Sequence, residues 1–565
     1  MKRRAALSTL TLGLGSFKSG ALQKINYSRE LKADVIIIGG GLGGCAAALS
    51  SLKSGLTVIM CEETDWIGGQ LTSQGVPPDE HRWIEKFGCT KSYRKFRTLV
   101  REFYKKNYEL SPQAKNIVPL NPGNGSVSRL CAEPKVYLKC IESLFNEYIQ
   151  NKRLTLLKNT IVKSAEMEAN EIRSVKVKNK SINDSIVLNG TIFVDSTELG
   201  DLLPITKCDH VLGTEGRGET GELHMPEKHS DKNQQAFTMC FAIEHRKGQN
   251  HTIDKPPNYE FWRDFIPNLT PPWPGRLLDF AYTHPSTGVK KILGFNPEGP
   301  HNSGIINLWK YRRIIAEENF NKQSGIKDTS LVNWPQNDYL LGNLTGVSEK
   351  ERSKHINQSK DLSRSLLYWL QTEAPRDDGG TGWPGLRLRK DIFDTDDGMA
   401  KYPYVRESAR IKAMTTILEH HCGVENRAHL LGVDQSKVKS KSYHDSVGIG
   451  HYQIDLHPTT EGDNYIDFPA LPFELPLGSL IPIKIKNLIA GSKNIGTTHV
   501  TNGCYRLHPV EWNIGEVAGH LAAKCLIERS SPQEIRNDQK KLTTFQETLI
   551  KNGVEIRWPD EVYKS

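Results

Sequence analysis

The clearest hydrophobic pattern in the chain begins at Ala33, where Asp34-Val35-Ile36-Ile37-Ile38 is an apolar, β-branched run with no polar alternation. Such a run predicts a short strand buried on both faces, as in a parallel sheet. Gly39-Gly40-Gly41-Leu42-Gly43-Gly44 follows at once, and the small-residue stretch from Cys45 to Lys53 predicts a helix. Leu56-Thr57-Val58-Ile59-Met60 predicts a second strand, with Glu62 just past its end. Strand, glycine turn, helix, strand and acid within about thirty residues form the layout of a dinucleotide-binding βαβ unit.

Later segments predict further elements, with no internal repeat. Asn487 to Gly491 predicts a short buried strand, and Val510 to Lys524 a helix with Gly515 and Gly519 on one face. Ser348 to Thr372 predicts a helix whose Leu366, Leu367 and Leu370 face a core. Between about Phe241 and Arg389 the character changes: Trp262, Trp273, Trp309, Trp334, Trp369 and Trp383 fall there, with prolines clustered at Pro256-Pro257 and Pro271-Pro272-Trp273-Pro274. This segment predicts an inserted substrate domain, with the polar and aromatic stretch from Asn333 to Tyr339 as a loop lining a cleft. Domain boundaries follow: a targeting segment at 1–30, the first part of a cofactor domain at 31–240, the insert at 241–389, the remainder of the cofactor domain at 390–529, and a solvent-exposed helical tail at 530–565.

Composition narrows the function classes. With 37 % hydrophobic and 25 % charged residues among 565, the chain is neither disordered nor fibrous. No uninterrupted apolar run reaches the roughly 18 residues that span a bilayer. The net charge of +9 is scattered and does not indicate nucleic-acid binding. Ten cysteines without a C-x-x-C exclude zinc ribbons, iron–sulfur runs and dithiol reductases, and buried free thiols are expected. H-E-x-x-H and G-x-S-x-G are absent, which argues against a zinc enzyme or hydrolase and leaves no metal ligand to name. Lys2, Arg3 and Arg4 precede a mildly apolar stretch from Ala5 to Gly15, the pattern of a twin-arginine signal. Export of the folded protein, to the periplasm of a bacterium, is the expectation, with a cytoplasmic location as the alternative.

Each glycine of the first unit has a physical role. Gly39 permits the tight turn, Gly41 lets the backbone approach a pyrophosphate, and Gly44 lets the helix pack on the strand. The pyrophosphate sits at a helix N-terminus, where unpaired N–H groups face it. Glu62 is placed to accept hydrogen bonds from a ribose hydroxyl. Gly216-Arg217-Gly218-Glu219-Thr220-Gly221 also matches G-x-G-x-x-G, but no β-rich run leads into it and His224-Met225-Pro226 follows. It reads as a loop, leaving one dinucleotide site.

The stretch Glu62-Glu63-Thr64-Asp65-Trp66-Ile67-Gly68-Gly69-Gln70-Leu71-Thr72 resembles the acid, spacer and double glycine that follow the first βαβ unit in glutathione reductase-like flavoproteins. Phe193-Val194-Asp195-Ser196-Thr197-Glu198-Leu199-Gly200-Asp201 is similar to their later strand and turn, with Glu198 where glycine is expected. Tyr402 to Ser408, Pro472 to Leu477, Asn487 to Asn494, Gly496 to His499 and Tyr505 to Pro509 resemble motifs of the FAD-dependent oxidoreductase family, a distant relation of the fumarate reductase and succinate dehydrogenase flavoproteins. The resemblance implies an α/β fold: a Rossmann-like FAD-binding domain with a parallel sheet, and an inserted mixed α+β substrate domain. It implies FAD as cofactor, held by Gly39, Gly41, Gly44, Glu62, Gly68, Gly69, Gln70, Asp195 and Asn494, with a helix N-terminus near Gly515 aimed at the flavin's pyrimidine edge.

The implied reaction is hydride exchange between a small polar organic substrate and flavin N5, with an external electron acceptor or donor. A flavin monooxygenase using transient NAD(P)H and oxygen, and a non-catalytic flavin-binding protein, are the alternatives. The segment from Thr498 to His508 lies between the cofactor strand and the last long helix, so His499, Arg506 and His508 are the candidate catalytic residues, with Arg406 as a second anchor. Arg506 would clamp an anionic group and a histidine would carry the proton. The structural alternative is that His508-Pro509 caps the helix and Arg506 pairs with Glu511 or Glu516. His81 is a position to check for covalent attachment of the flavin.

Overall fold

The structure, a computed structural model, describes residues 29–299 and 304–564. The stretch at 1–28 that carries the export reading lies outside the described residues.

The expected unit forms as β1 (Arg29–Ile38), α1 (Leu42–Lys53) and β2 (Val58–Cys61). After it come α2 (Lys91–Asn107), β3 (Leu154–Leu157), β4 (Thr160–Glu168), β5 (Glu171–Asn179) and β6 (Ser185–Asp195). These strands make one sheet in the order β3-β2-β1-β6-β5-β4. Strands β3, β2, β1 and β6 are mutually parallel, with Val35 opposite Val58 and Ile36 opposite Phe193. Because β1 and β2 are covered on both faces, Val35 to Cys61 reads as near-continuous apolar sequence wherever it is strand. Strands β4 and β5 are antiparallel additions at one edge.

The 241–389 segment supplies β7 (Phe241–His245), β8 (Arg313–Ile315), β9 (Thr329–Val332), α3 (Glu349–Thr372) and β10 (Leu386–Leu388). Its strands form an antiparallel sheet in the order β8-β9-β7-β10. Ser348 caps α3 by accepting from the Glu351 N–H while the Glu351 carboxylate accepts from the Ser348 N–H. Both sheets feed one continuous hydrophobic core.

The chain then forms the hairpin β11 (Ile454–Leu456) and β12 (Ile466–Phe468), and returns to the first sheet as β13 (Leu488–Ala490), parallel to the C-terminal end of β6. Helices α4 (His499–Tyr505) and α5 (His508–Glu528) follow, then α6 (Pro532–Asn537) and α7 (Gln539–Lys551). Two expectations are corrected here. Helix α5 starts at His508, with Pro509 in its first turn where a missing N–H costs nothing, so Gly515 is interior and presents no free helix N-terminus. A Cβ on Gly515 would lie 1.9 Å from the Gly43 carbonyl oxygen, so this glycine brings α5 against α1. The segment after Arg529 is also no exposed tail. Ile535, Leu542, Phe545 and Leu549 are fully buried in the main core.

Among the described residues no helix is long and apolar enough to cross a membrane. All ten cysteines are free and buried.

Candidate active site

A cavity of about 250 Å³ opens at the C-terminal ends of β1, β2 and β6, where a parallel sheet places its ligands. Gly39, Gly41, Glu62, Gly69, Ser196 and Glu198 line it. Gly39 has φ +95°, and a Cβ there would sit 2.2 Å from the Ser196 carbonyl oxygen. A Cβ on Gly69 would meet Gly41 Cα at 2.9 Å, so the second glycine pair folds directly over the first turn. Glu62 Oε2 accepts from the Gly40 N–H at 3.0 Å, and Oε1 accepts from the Thr64 N–H and hydroxyl at 2.8 Å each. Burial pushes its carboxyl up to about 7 despite those bonds.

The residues present fit the dinucleotide. The glycine cradle has no room for side chains, the buried Ser196 Oγ and Glu198 Oε1 lack hydrogen-bond partners in the protein, and Glu62 lines the same cavity just past the end of β2. Gly44 lies behind the turn, where a Cβ would be 2.0 Å from the Gly39 carbonyl oxygen. Asp195 and Asn494 brace the floor: Asp195 accepts from Thr197 and Leu202, and the Asn494 amide donates to the Asp195 carbonyl. Neither lines the cavity. Glu198, in place of glycine, is paired to the buried Lys493 ammonium.

Gln70, the residue after Gly69, ties the first cavity's wall to Arg506, which lines a second space. Gln70 Nε2 donates to the Arg506 carbonyl at 3.0 Å and to Glu511. Arg506 faces a separate cavity of about 160 Å³, also lined by Arg312, Trp334, Tyr404, Arg406 and His457. Each arginine has a carboxylate partner: Arg312 with Asp79 at 3.4 Å, Arg406 with Asp338 at 3.0 Å, and Arg506 with Asp455 at 3.2 Å. Asp338 also accepts from Thr238, Tyr465 and His457, whose Nδ1 is 2.6 Å away. Burial alone would raise this carboxyl, but Arg406 and His457 overcome it and hold it at about 2. The His457 ring therefore turns its Nδ1 edge to Asp338 and its Nε2 edge to the cavity side of Asp455. Nε2 is 3.6 Å from Asp455, so the ring stands between two carboxylates, and against burial its charge together with Arg506 holds Asp455 well below the usual carboxylate range.

Of the predicted catalytic residues, the structure brings Arg406 and Arg506 together in this second cavity. It brings His499 not there but to the wall of an adjoining hollow of about 570 Å³ that shares His457, Tyr465 and Asp467 with this cavity. The His499 Nδ1 lies 3.0 Å from both Glu407 oxygens; burial lowers its pKa, but the glutamate raises it more, so the ring is a buried partner of that carboxylate. His508 is fully buried, its Nδ1 accepting from the Asp79 N–H at 3.1 Å, and burial pushes it down to about 4. Arg506 pairs with neither Glu511 nor Glu516: Glu511 accepts from the Gly43 N–H, and Glu516 from Ser92. Leu507, not His508, is the cap residue of α5. His81 packs 5.5 Å from Trp558 in an aromatic cluster, its two ring nitrogens bonded to the Gly88 carbonyl and the Trp83 N–H, and it lines neither cavity.

Sequence reasoning missed Arg312, Asp338, Asp455 and the role of His457. The available signal was the stretch from Asn333 to Tyr339, read as a cleft loop, whose Asn333, Trp334 and Pro335 do line this cavity. Asp455 and His457 are also two apart on an extended segment, hence on one face.

Comparison with known proteins gives a family. A family model described as FAD dependent oxidoreductase matches residues 34–549. No curated protein matches the chain. Among solved structures, L-proline dehydrogenase from P. horikoshii is similar at 18 % identity over 33 % of this chain and 24 % of its own length, with a TM-score of 0.17. A form of the E. coli quinol fumarate reductase FrdA is similar at 11 % identity over 93 % of this chain and 74 % of its own, with a TM-score of 0.32.

Proposed function

The chain belongs to the family of FAD-dependent oxidoreductases, and from that premise we propose that it exchanges hydride between a carbon of a small polar substrate and its flavin, with an external partner completing the electron transfer. FAD, when bound, supplies the hydride chemistry at N5 of its ring. Gly39, Gly41, Gly69 and Glu62 would hold its dinucleotide part in the first cavity, and the Gly69-Gln70 step would carry it toward the second.

The protein's own chemistry is proton handling. His457 has a carboxylate fixing Nδ1 and stands on the wall of the second cavity, and in its neutral form Nε2 would take a proton, the role of an oriented general base. When hydride leaves a carbinol carbon, its hydroxyl proton passes to Nε2, and Asp338 stabilises the imidazolium that forms. Tyr465, Thr238 and Arg406 hold Asp338 in place. His457 therefore replaces His499 and His508 as the proposed proton carrier, while Arg406 and Arg506 remain as positioning cations.

The single observation that supports this reading most is the His457–Asp338 pair on a cavity linked through Arg506 and Gln70 to the glycine cradle. Anaerobic bleaching of the flavin by a panel of small alcohols, hydroxy acids and amines tests it. A compound that bleaches the wild type should bleach His457→Asn about 100-fold more slowly or worse at equal FAD occupancy. Equal rates would remove His457 from the reaction.

A further inference from the structure

Resting on that reading, we propose that the substrate is a neutral, polyhydroxylated ring compound, a carbohydrate of more than one sugar unit, oxidised at a secondary alcohol. The charge on the wall of the second cavity supports the first half. Arg312, Arg406 and Arg506 are each compensated by an aspartate. Asp467 is the third carboxyl on the wall beside Asp79 and Asp455, pushed up to about 7 by burial and by Asp455, with Asp338 behind the wall, and no further arginine or lysine lines the space. An anionic substrate entering would lose its hydration without gaining an uncompensated cation, which is unfavourable.

The hydrogen-bonding groups separate the remaining classes. Asn333 Nδ2, Trp334 Nε1 and the Nε atoms of Arg312, Arg406 and Arg506 are buried donors without an acceptor in the protein. Each belongs to a side chain that lines the space, where an oxygen acceptor would suit it. An ammonium group offers none, whereas hydroxyl and ring oxygens do, and the aspartates can accept the hydroxyl protons in return. Six rings also line the space: Tyr282, Tyr311, Trp334, Tyr404, Tyr452 and Tyr465. Flat aromatic faces between polar groups suit a ring with apolar C–H faces and a polar rim.

Length comes from a neighbouring hollow of about 570 Å³ that shares Pro285, His457, Tyr465 and Asp467 with the cavity. Its farther wall includes Asn464, Asp463 and Glu425, and the His224 ring stacked 3.9 Å from Phe468. A second sugar unit would lie in this hollow while the first stands at His457. In the proposed reaction the secondary carbon would give its hydride to the FAD that the glycine cradle would hold, and its hydroxyl would lose a proton to His457 Nε2. The alcohol becomes a ketone, and two electrons leave with the hydride.

The test mixes FAD-loaded protein anaerobically with methyl β-glucoside, cellobiose and maltose as neutral probes, lactate and malate as anions, and benzylamine as an amine. It records tryptophan fluorescence for binding and flavin absorbance for reduction. The proposal expects a neutral probe to bind and bleach, with a disaccharide bound at least tenfold tighter than the methyl glucoside. Equal affinity would overturn the multi-unit part. Neutral probes that bind without bleaching would leave the substrate class standing and overturn the hydride reading. Bleaching by lactate, malate or benzylamine alone would do the reverse. Failure of every neutral probe to bind would overturn the substrate class. Asp455→Asn adds a charge-specific arm: freeing Arg506 should raise malate affinity at least tenfold, and no gain would contradict the compensated-charge argument.

Discussion

Glu62 shows how one side chain links burial to cofactor affinity. Its carboxyl is held at about 7 by burial, and a ribose hydroxyl can donate only to the ionised form strongly. FAD binding should therefore strengthen as pH rises through about 7, by up to about tenfold between about pH 6 and about pH 8, with proton uptake on release. In the cofactor-free protein the sign is opposite. A carboxyl that titrates near 4.5 when unfolded and near 7 when folded contributes stability below about 4.5 that is lost as pH rises to about 7. Titration of apoprotein with FAD at the two pH values checks the first statement. Glu62→Gln should flatten the pH dependence and weaken binding by about 1.5–3 kcal/mol. The ion pairs of the second cavity carry a different lesson at this scale. Arg312 meets Asp79, and Arg506 meets Asp455, across hundreds of residues or tens of residues of chain, and no spacing rule announces such partners. Arg506 was visible as a candidate, but its compensation by Asp455 was not.

Among the elements, the contact of α1 with α5 decides whether the cofactor unit forms. Gly515 faces the Gly43 carbonyl, and a Cβ on Gly519 would lie 2.3 Å from the Ala47 carbonyl. Both neighbours are backbone and cannot swing aside. Gly515→Ala should cost on the order of 1–3 kcal/mol or more and reduce FAD retention, as read by denaturant unfolding and flavin absorbance. Gly218→Ala, in the second G-x-G-x-x-G match, should be nearly neutral: nothing lies within 4 Å of its Cβ position, and the element there is only the four-residue helix Arg217–Thr220. The contrast explains what the sequence made legible. Strands β1 and β2 and helix α1 announced themselves because a buried parallel strand leaves an unbroken apolar run, and a close helix–strand approach requires glycine at fixed offsets. Strand β11 has three residues and no comparable pattern, so Asp455 and His457 could be placed only once the hairpin with β12 was seen. The start of α5 was misjudged because Pro509 looks like a breaker, although the first turn of a helix is where proline fits best.

For the whole molecule, two sheets and the C-terminal helices share one core, and the last of these was the largest misreading. Leu542, Phe545 and Leu549 recur at helical spacing, a signal of a buried face that high polarity elsewhere in α7 obscured. Together with Ile535 they bury four large apolar side chains, each contributing roughly 1.5–3 kcal/mol, which approaches the net stability of a typical domain. Truncation after Arg529 should therefore abolish soluble, flavin-loaded protein, and a truncated form with an unchanged thermal midpoint would refute that assignment. The central claim is that one FAD runs from the glycine cradle to the cavity that holds His457. Diffraction from crystals grown with FAD measures it directly. The account predicts the adenosine ribose at Glu62, the pyrophosphate at the start of α1, and the flavin ring reaching Gln70 and Arg506 so that its reactive face opens toward His457. A flavin ring seated away from Arg506, with His457 screened from it by protein, would contradict the account.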